Sequence, residues 1–264
     1  VINDMGLQFG LWFEPEMVCP VSELYEKYPD WCIHIPGRTR SEARMQLILD
    51  LSRDDVCDYI IETLSKVLSS ASISYVKWDM NRNMTEIGSA KLPPERQREL
   101  PHRYMLGLYR IMEELTTAFP HILFESCSGG GGRFDPGMLY YMPQTWTSDN
   151  TDAIERLKIQ YGTSLVYPNV SMGCHVSAIP NHQVHRMTPL NTRGVVAMSG
   201  NFGYELDITK LSDEEKEVAY AIRKVMYRDG NIENITENLI NMLSKTKNNK
   251  EFIQTFLKSD VFKK

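Results

Sequence analysis

The segment Asp55-Val-Cys-Asp-Tyr-Ile-Ile-Glu-Thr-Leu-Ser-Lys-Val-Leu68, a short polar break, and the segment Ile73-Ser-Tyr-Val-Lys-Trp78 decide the fold. In the first, Val56, Tyr59, Ile60, Leu64, Val67 and Leu68 recur at helical spacing, so the stretch reads as an amphipathic helix. In the second, β-branched and aromatic residues crowd together, the composition of a buried strand. Asp79 follows that strand directly. A helix feeding such a strand is half of a parallel βαβ unit.

Working outward, the same alternation repeats. Residues 7–13, 121–125, 144–148, 165–172 and 194–199 read as further strands, giving six with 73–78. Residues 103–119, 152–161 and 211–228 read as helices, the first ended by Pro120. An open doubly wound sheet is the plain alternative, but no Gly-x-Gly-x-x-Gly or Walker-type loop follows an early strand. Polar residues instead follow nearly every strand, where a (β/α)8 barrel builds its site. The expected fold class is therefore α/β, an incomplete (β/α)8 TIM barrel over residues 1–228. Residues 229–264 turn rich in Asn and Lys and read as a helical or disordered tail.

Composition narrows the function classes. With 264 residues the chain suits one large α/β domain. A net charge of -5, from 29 basic and 34 acidic residues, leaves no basic surplus for a phosphate backbone, so no nucleic-acid partner is expected. Five cysteines, an odd number without a Cys-x-x-Cys pair, point to free thiols in a reducing, cytoplasmic compartment. No apolar run reaches the roughly 18 residues a membrane helix needs, so no membrane partner is expected either. No signal-peptide pattern opens the sequence, which begins with Val1 in a strand-like run and reads as part of a longer protein. Triplets of the glycosylation type at Asn83, Asn169 and Asn234 are too common by chance to carry weight.

Carboxylates end the early strands: Glu14 and Glu16, then Asp79, Glu125 and Asp149. One such residue is ordinarily a helix cap or an anchor. A series of them around one mouth suits glycoside hydrolysis, which needs one ionised carboxylate and one protonated carboxyl group. Strand alternation puts Lys77 and Asp79 on one face, and an ammonium beside a carboxylate favours its charged form. Trp12, Trp78 and Trp146 lie close to these acids and either stack on sugar rings or pack the core. After Glu125, the run Gly129-Gly-Gly-Gly132 permits positive φ and close backbone approach, but lacks the Lys-Ser/Thr of a phosphate loop. His175, His182 and His185 with Cys174 admit a zinc site in principle, although loop histidines making ordinary hydrogen bonds fit better. No Gly-x-Ser-x-Gly elbow supports a serine nucleophile, and Cys127 has no evident His partner.

The segments Gly10-Leu-Trp-Phe-Glu-Pro-Glu-Met-Val18, Tyr75-Val-Lys-Trp-Asp-Met-Asn-Arg82, Glu125-Ser-Cys-Ser-Gly-Gly-Gly-Gly-Arg133, Trp146-Thr-Ser-Asp-Asn-Thr-Asp-Ala153 and Asn201-Phe-Gly-Tyr-Glu-Leu-Asp207 resemble, in this order and spacing, glycoside hydrolase family 36, the bacterial α-galactosidases. The resemblance runs to about Arg228. It implies hydrolysis of terminal α-1,6-linked galactose from melibiose- and raffinose-type oligosaccharides, with retention and no cofactor or metal. It makes Asp79 the nucleophile, Asp149 the general acid/base and Asp152 structural. It also places Trp12, Arg44, Lys77, Cys127, Gly129 and Trp146 around the galactose. Glu14, Asp79 and Asp149 then end the third, fourth and sixth barrel strands.

In that mechanism the two carboxyl groups stand about 5–5.5 Å apart. The family also has an N-terminal β-sandwich, two earlier barrel strands with a paired-Asp segment that holds galactose hydroxyls, and a C-terminal β-domain. None is visible in this sequence, and six strands leave two open sheet edges. The resemblance implies a homo-oligomeric full-length parent, with a tetramer among the options. Two alternatives stand beside the galactosidase: a truncated, non-catalytic galactoside-binding remnant, and a relative acting on α-N-acetylgalactosaminides or as a transglycosidase.

Overall fold

The computed structural model describes residues 1–226, which fall into two compact units, Val1–Pro143 and Gln144 onward. In the first, β1 (Phe9–Phe13) is followed by β2 (Met17–Val18), α1 (Glu23–Lys27) and β3 (Leu47–Ile48), then α2 (Asp54–Ser69) and β4 (Ile73–Trp78). After these come α3 (Leu100–Ala118), β5 (Leu123–Ser126) and α4 (Pro136–Tyr141). β1, β4 and β5 are parallel, with Phe13 opposite Trp78 and Lys77 opposite Glu125. β2 and β3 form a separate antiparallel pair.

The decisive helix forms for the reasons its sequence supplies. Asp54 and Asp55 sit in the first turn of α2, where the helix dipole favours negative charge. Val56, Ile60, Leu64 and Leu68 make one buried stripe on it, packed with Tyr104, Leu108, Ile111 and Leu115 of α3 and with Val76 and Phe124 of the strands. α3 packs so closely that a Cβ on its Gly107 would collide with the Leu51 carbonyl oxygen in the turn before α2 and lie 3.1 Å from Cys57 Sγ of α2.

The second unit repeats the pattern. β6 (Gln144–Trp146), α5 (Ala153–Ser164), β7 (Met172–Ser177), α6 (Leu190–Ala197), β8 (Asn201–Glu205) and α7 (Asp213–Met226) alternate strand with helix, and the three strands are again parallel. Trp146 lies opposite Gly173, and His175 opposite Gly203. Cys174, Val176, Val195, Val196, Val218 and Ile222 are buried there. Among the described residues, each unit thus alternates three parallel strands with helices, and the fold class is an incomplete (β/α)8 barrel.

Two expected strands move. Residues 165–172 end in a turn and a 3-10 helix (Asn169–Ser171), and the strand begins at Met172. Pro168 lacks the N–H a ladder needs, which stops the earlier run from pairing. Residues 194–199 lie mostly in α6, and the strand follows at Asn201. A buried apolar run of this length has no periodicity to separate helix from strand. The tail expected over 229–264 lies outside the described residues. Among the described residues no helix is long and apolar enough to cross a membrane.

Candidate active site

In the first unit the chemistry gathers at the C-terminal end of β4. The Asp79 N–H donates to the Phe13 carbonyl at 2.9 Å, so the residue extends the β1–β4 ladder and its side chain emerges where both strands stop. That carboxylate is almost buried, and donors surround it. The Met80 N–H reaches Oδ1 at 2.9 Å, while Asn81 Nδ2 at 2.6 Å and Trp12 Nε1 at 3.3 Å reach Oδ2. The Cys127 thiol adjoins the same group. Burial, opposed by a hydrogen bond with the Gly130 backbone and reinforced by the negative charge of Asp79, pushes that thiol up to about 12.

Arg44 and Gly129 join the site through Glu14 and Asn81. Lys77 makes an ion pair with the buried Glu125 at 3.2 Å, because the parallel register sets those two residues opposite each other. Strand alternation also puts Lys77 on the same face of β4 as Asp79. Tyr75 also bonds Glu125, and burial together with that carboxylate raises its phenol well above the usual range. Arg44, exposed and at a φ of 55°, reaches Glu14 at 3.3 Å. Gly129 has a φ of 56°, and a Cβ there would sit 3.7 Å from Asn81 Oδ1. Trp12 is half exposed, open to a ring on its free surface. Trp78 is fully buried with its N–H on Glu16 at 2.7 Å, a core residue.

Glu16 is an anchor. Its buried carboxylate also takes the Tyr104 hydroxyl at 2.5 Å and both Arg133 guanidinium nitrogens at 2.9 and 2.8 Å. That fork ties the end of the glycine run to β4's Trp78, which keeps the loop beside Asp79 from drifting.

In the second unit, β6 delivers Trp146 and then Asp149. Trp146 Nε1 donates to Asp149 Oδ1 at 3.1 Å, and Gln183 Nε2 to the Asp149 carbonyl at 2.8 Å. One face of the buried Trp146 lies against the Arg156 guanidinium, 4.3 Å from the ring centre, and His175 packs on it at 4.6 Å. Arg156 in turn donates to the Asn150 and Gly173 carbonyls and to Thr147 Oγ1, so the 147–150 loop is held from beneath. Asp149 is exposed, unlike Asp79. Asp152 is buried and caps α5, accepting from Ile154 N at 3.2 Å and Glu155 N at 3.1 Å, and it pairs with Arg186. His182 and His185 are exposed, and among the described residues no three His, Cys, Asp or Glu side chains gather as metal ligands.

Sequence reading gave no role to Asn81 or to Glu14 beyond its place at a strand end. The signal was available for Asn81, since Lys77, Asp79 and Asn81 continue one alternation.

Known proteins resemble this chain over most of its length. The family model described as Melibiase matches residues 1–232. α-Galactosidase AgaA of Geobacillus stearothermophilus is 77% identical over 217 residues, 82% of this chain and 30% of that protein. α-Galactosidase Mel36A of Lactobacillus acidophilus is 57% identical over 216 residues, again 82% of this chain and 30% of that protein. Among solved structures, AgaA with raffinose superposes with a TM-score of 0.82 at 74% identity, over 85% of this chain and 32% of that one. The chain therefore spans under a third of the length of these relatives.

Proposed function

The chain belongs to the melibiase family, and from that premise we propose that it carries the catalytic carboxylates of a retaining α-galactosidase, with Asp79 as nucleophile and Asp149 as general acid/base. The observation that carries this reading is the contrast between the two aspartates. Four donors crowd the buried Asp79 and fix its oxygens in one orientation, as an attacking group requires. Asp149 is exposed and, among the described residues, its carboxylate is steered at Oδ1 by Trp146, which leaves Oδ2 to exchange protons with a leaving group and with water. A further support is numerical. The AgaA structures with raffinose and with stachyose each carry one replaced aspartate, and those two positions lie 70 apart, the interval between Asp79 and Asp149.

In this reading Asp79 attacks the anomeric carbon while Asp149 protonates the departing oxygen, giving a covalent galactosyl-enzyme. Asp149 then deprotonates water, whose attack releases Asp79 and restores the starting configuration. Trp12 offers an open ring face, and Trp146, Arg44, Lys77, Cys127 and Gly129 complete the galactose surroundings in this reading. The raffinose complex of AgaA supports oligosaccharides with terminal α-galactose as substrates. All five cysteines are unpaired, which supports a reducing, cytoplasmic setting.

The test is kinetic, on the full polypeptide in which this sequence occurs. Asp79→Ala should lose turnover of p-nitrophenyl α-galactoside, and added azide should restore it with a galactosyl azide of inverted configuration as product. Asp149→Ala should slow raffinose far more than the activated p-nitrophenyl substrate. Full activity of Asp79→Ala would sink the assignment.

A further inference from the structure

Asn81 stands between two acids. Its Nδ2 lies 2.6 Å from Asp79 Oδ2 and 2.5 Å from Glu14 Oε1. Ionised carboxylates only accept hydrogen bonds, so the atom between them is the amide NH2, with one hydrogen on each acid. Its carbonyl oxygen is left facing the Gly129 side. Glu14 is itself held: only 8% of its side chain is exposed, Arg44 Nη1 reaches Oε1 at 3.3 Å, and Gln46 Nε2 reaches Oε2 at 3.2 Å. A rigid acceptor therefore grips the donor that touches Asp79.

The reaction proposed above changes what Asp79 can do for that contact. While the galactosyl-enzyme exists, Asp79 is a neutral ester and a weak acceptor. Glu14 takes no part in the bond changes and keeps Asn81 in place. In the second displacement, water attacks the anomeric carbon, Asp149 takes the water proton, and the carbon–Oδ bond breaks with its electron pair returning to Asp79. Negative charge then grows on Asp79, and an N–H already aimed at Oδ2 stabilises it without reorganisation.

We propose that Glu14 is a positioning residue of this centre: through Asn81 it keeps a donor aimed at Asp79 while the sugar is covalently attached, and so speeds release of the galactosyl group. The proposal rests on the assignment of Asp79 as nucleophile and predicts a defect confined to one half of the reaction.

The experiment is pre-steady-state kinetics on p-nitrophenyl α-galactoside with Glu14→Leu and Glu14→Gln in the full polypeptide. Glu14→Leu removes the acceptor and should lower kcat about tenfold or more, the rate equivalent of one hydrogen bond to a charged group. KM should fall with it, and a burst of p-nitrophenol larger than in the unaltered enzyme should appear, because the covalent intermediate accumulates. Glu14→Gln keeps an oxygen for Asn81. Its new NH2 can face Gln46, whose buried Oε1 makes no hydrogen bond among the described residues and can turn to meet it, so kcat should stay within about threefold of the unaltered value. Loss of kcat in Glu14→Leu without a larger burst and with KM unchanged or raised would mark a merely structural role and overturn the proposal. Equal loss in Glu14→Gln would also overturn it. Asp79→Ala is the control: if it remains active the catalytic assignment itself falls, whereas an inactive Asp79→Ala beside an unaffected Glu14→Leu removes only the role of Glu14.

Discussion

Burial sets the chemistry of the cysteines one by one. Desolvation pushes Cys32 to about 11, Cys57 and Cys127 to about 12, and Cys174 to about 11, whereas Cys19 is exposed. The thiolate is the reactive form, and a raised value keeps the thiol protonated across the ordinary pH range. At pH 8 a disulfide reagent should therefore label one thiol quickly in the folded protein and the other four only in denaturant. Peptide mapping should place the fast label on Cys19, and fast loss of the Cys127 thiol would contradict the burial described for it. The same scale shows what sequence could reveal. Asp79 was legible because a strand of Tyr-Val-Lys-Trp had to be buried and had to end at an acid. The Lys77–Glu125 pair was not, since cross-strand partners depend on register, and 48 residues separate the two in sequence. Glu14 escaped for a related reason, its link to Asn81, and through it to Asp79, being made in space across 67 positions of chain.

At the level of elements, the long helices were the most legible parts. α2 and α3 carry enough turns for a 3.6-residue period to show, and the structure differs from expectation only at their ends. The strands expected at 165–172 and 194–199 fell on neighbouring segments because each was read from a handful of apolar residues. β7 pairs through Gly173 and His175, residues that do not advertise a strand, and its burial on both faces comes from the sheet rather than from its own pattern. Asp152 shows how an element end can imitate chemistry. It sits three residues from Asp149, yet its Oδ2 is spent on the first turn of α5 and on Arg186. Asp152→Ala should cost about 1–2 kcal/mol in a urea melt, and Asp152→Asn distinctly less, since asparagine caps nearly as well. A variant of normal stability that no longer processes galactosides would move Asp152 from the scaffold into the chemistry.

For the whole molecule, the balance between what is present and what is exposed governs the outcome. The described residues hold both proposed carboxylates, but Trp12 keeps 49% of its surface in solvent, and Arg44 and Asp149 are exposed as well. Electrostatic stabilisation of a transition state depends on fixed dipoles in a site from which water is excluded, and the same hydrogen bonds lose most of their advantage when bulk solvent competes for them. AgaA is more than three times as long as the stretch matched here, so residues beyond that stretch are available there to cover and complete the site. The 264-residue chain expressed alone should therefore turn over p-nitrophenyl α-galactoside with a kcat/KM at least about 100-fold below that of AgaA, the scale of losing one preorganised site donor. Far-ultraviolet circular dichroism and a cooperative melt would establish that the sample is folded, so that weak turnover reports on the site. Activity equal to that of AgaA from a folded chain would show that the described residues suffice, and that their exposure to solvent costs the reaction little.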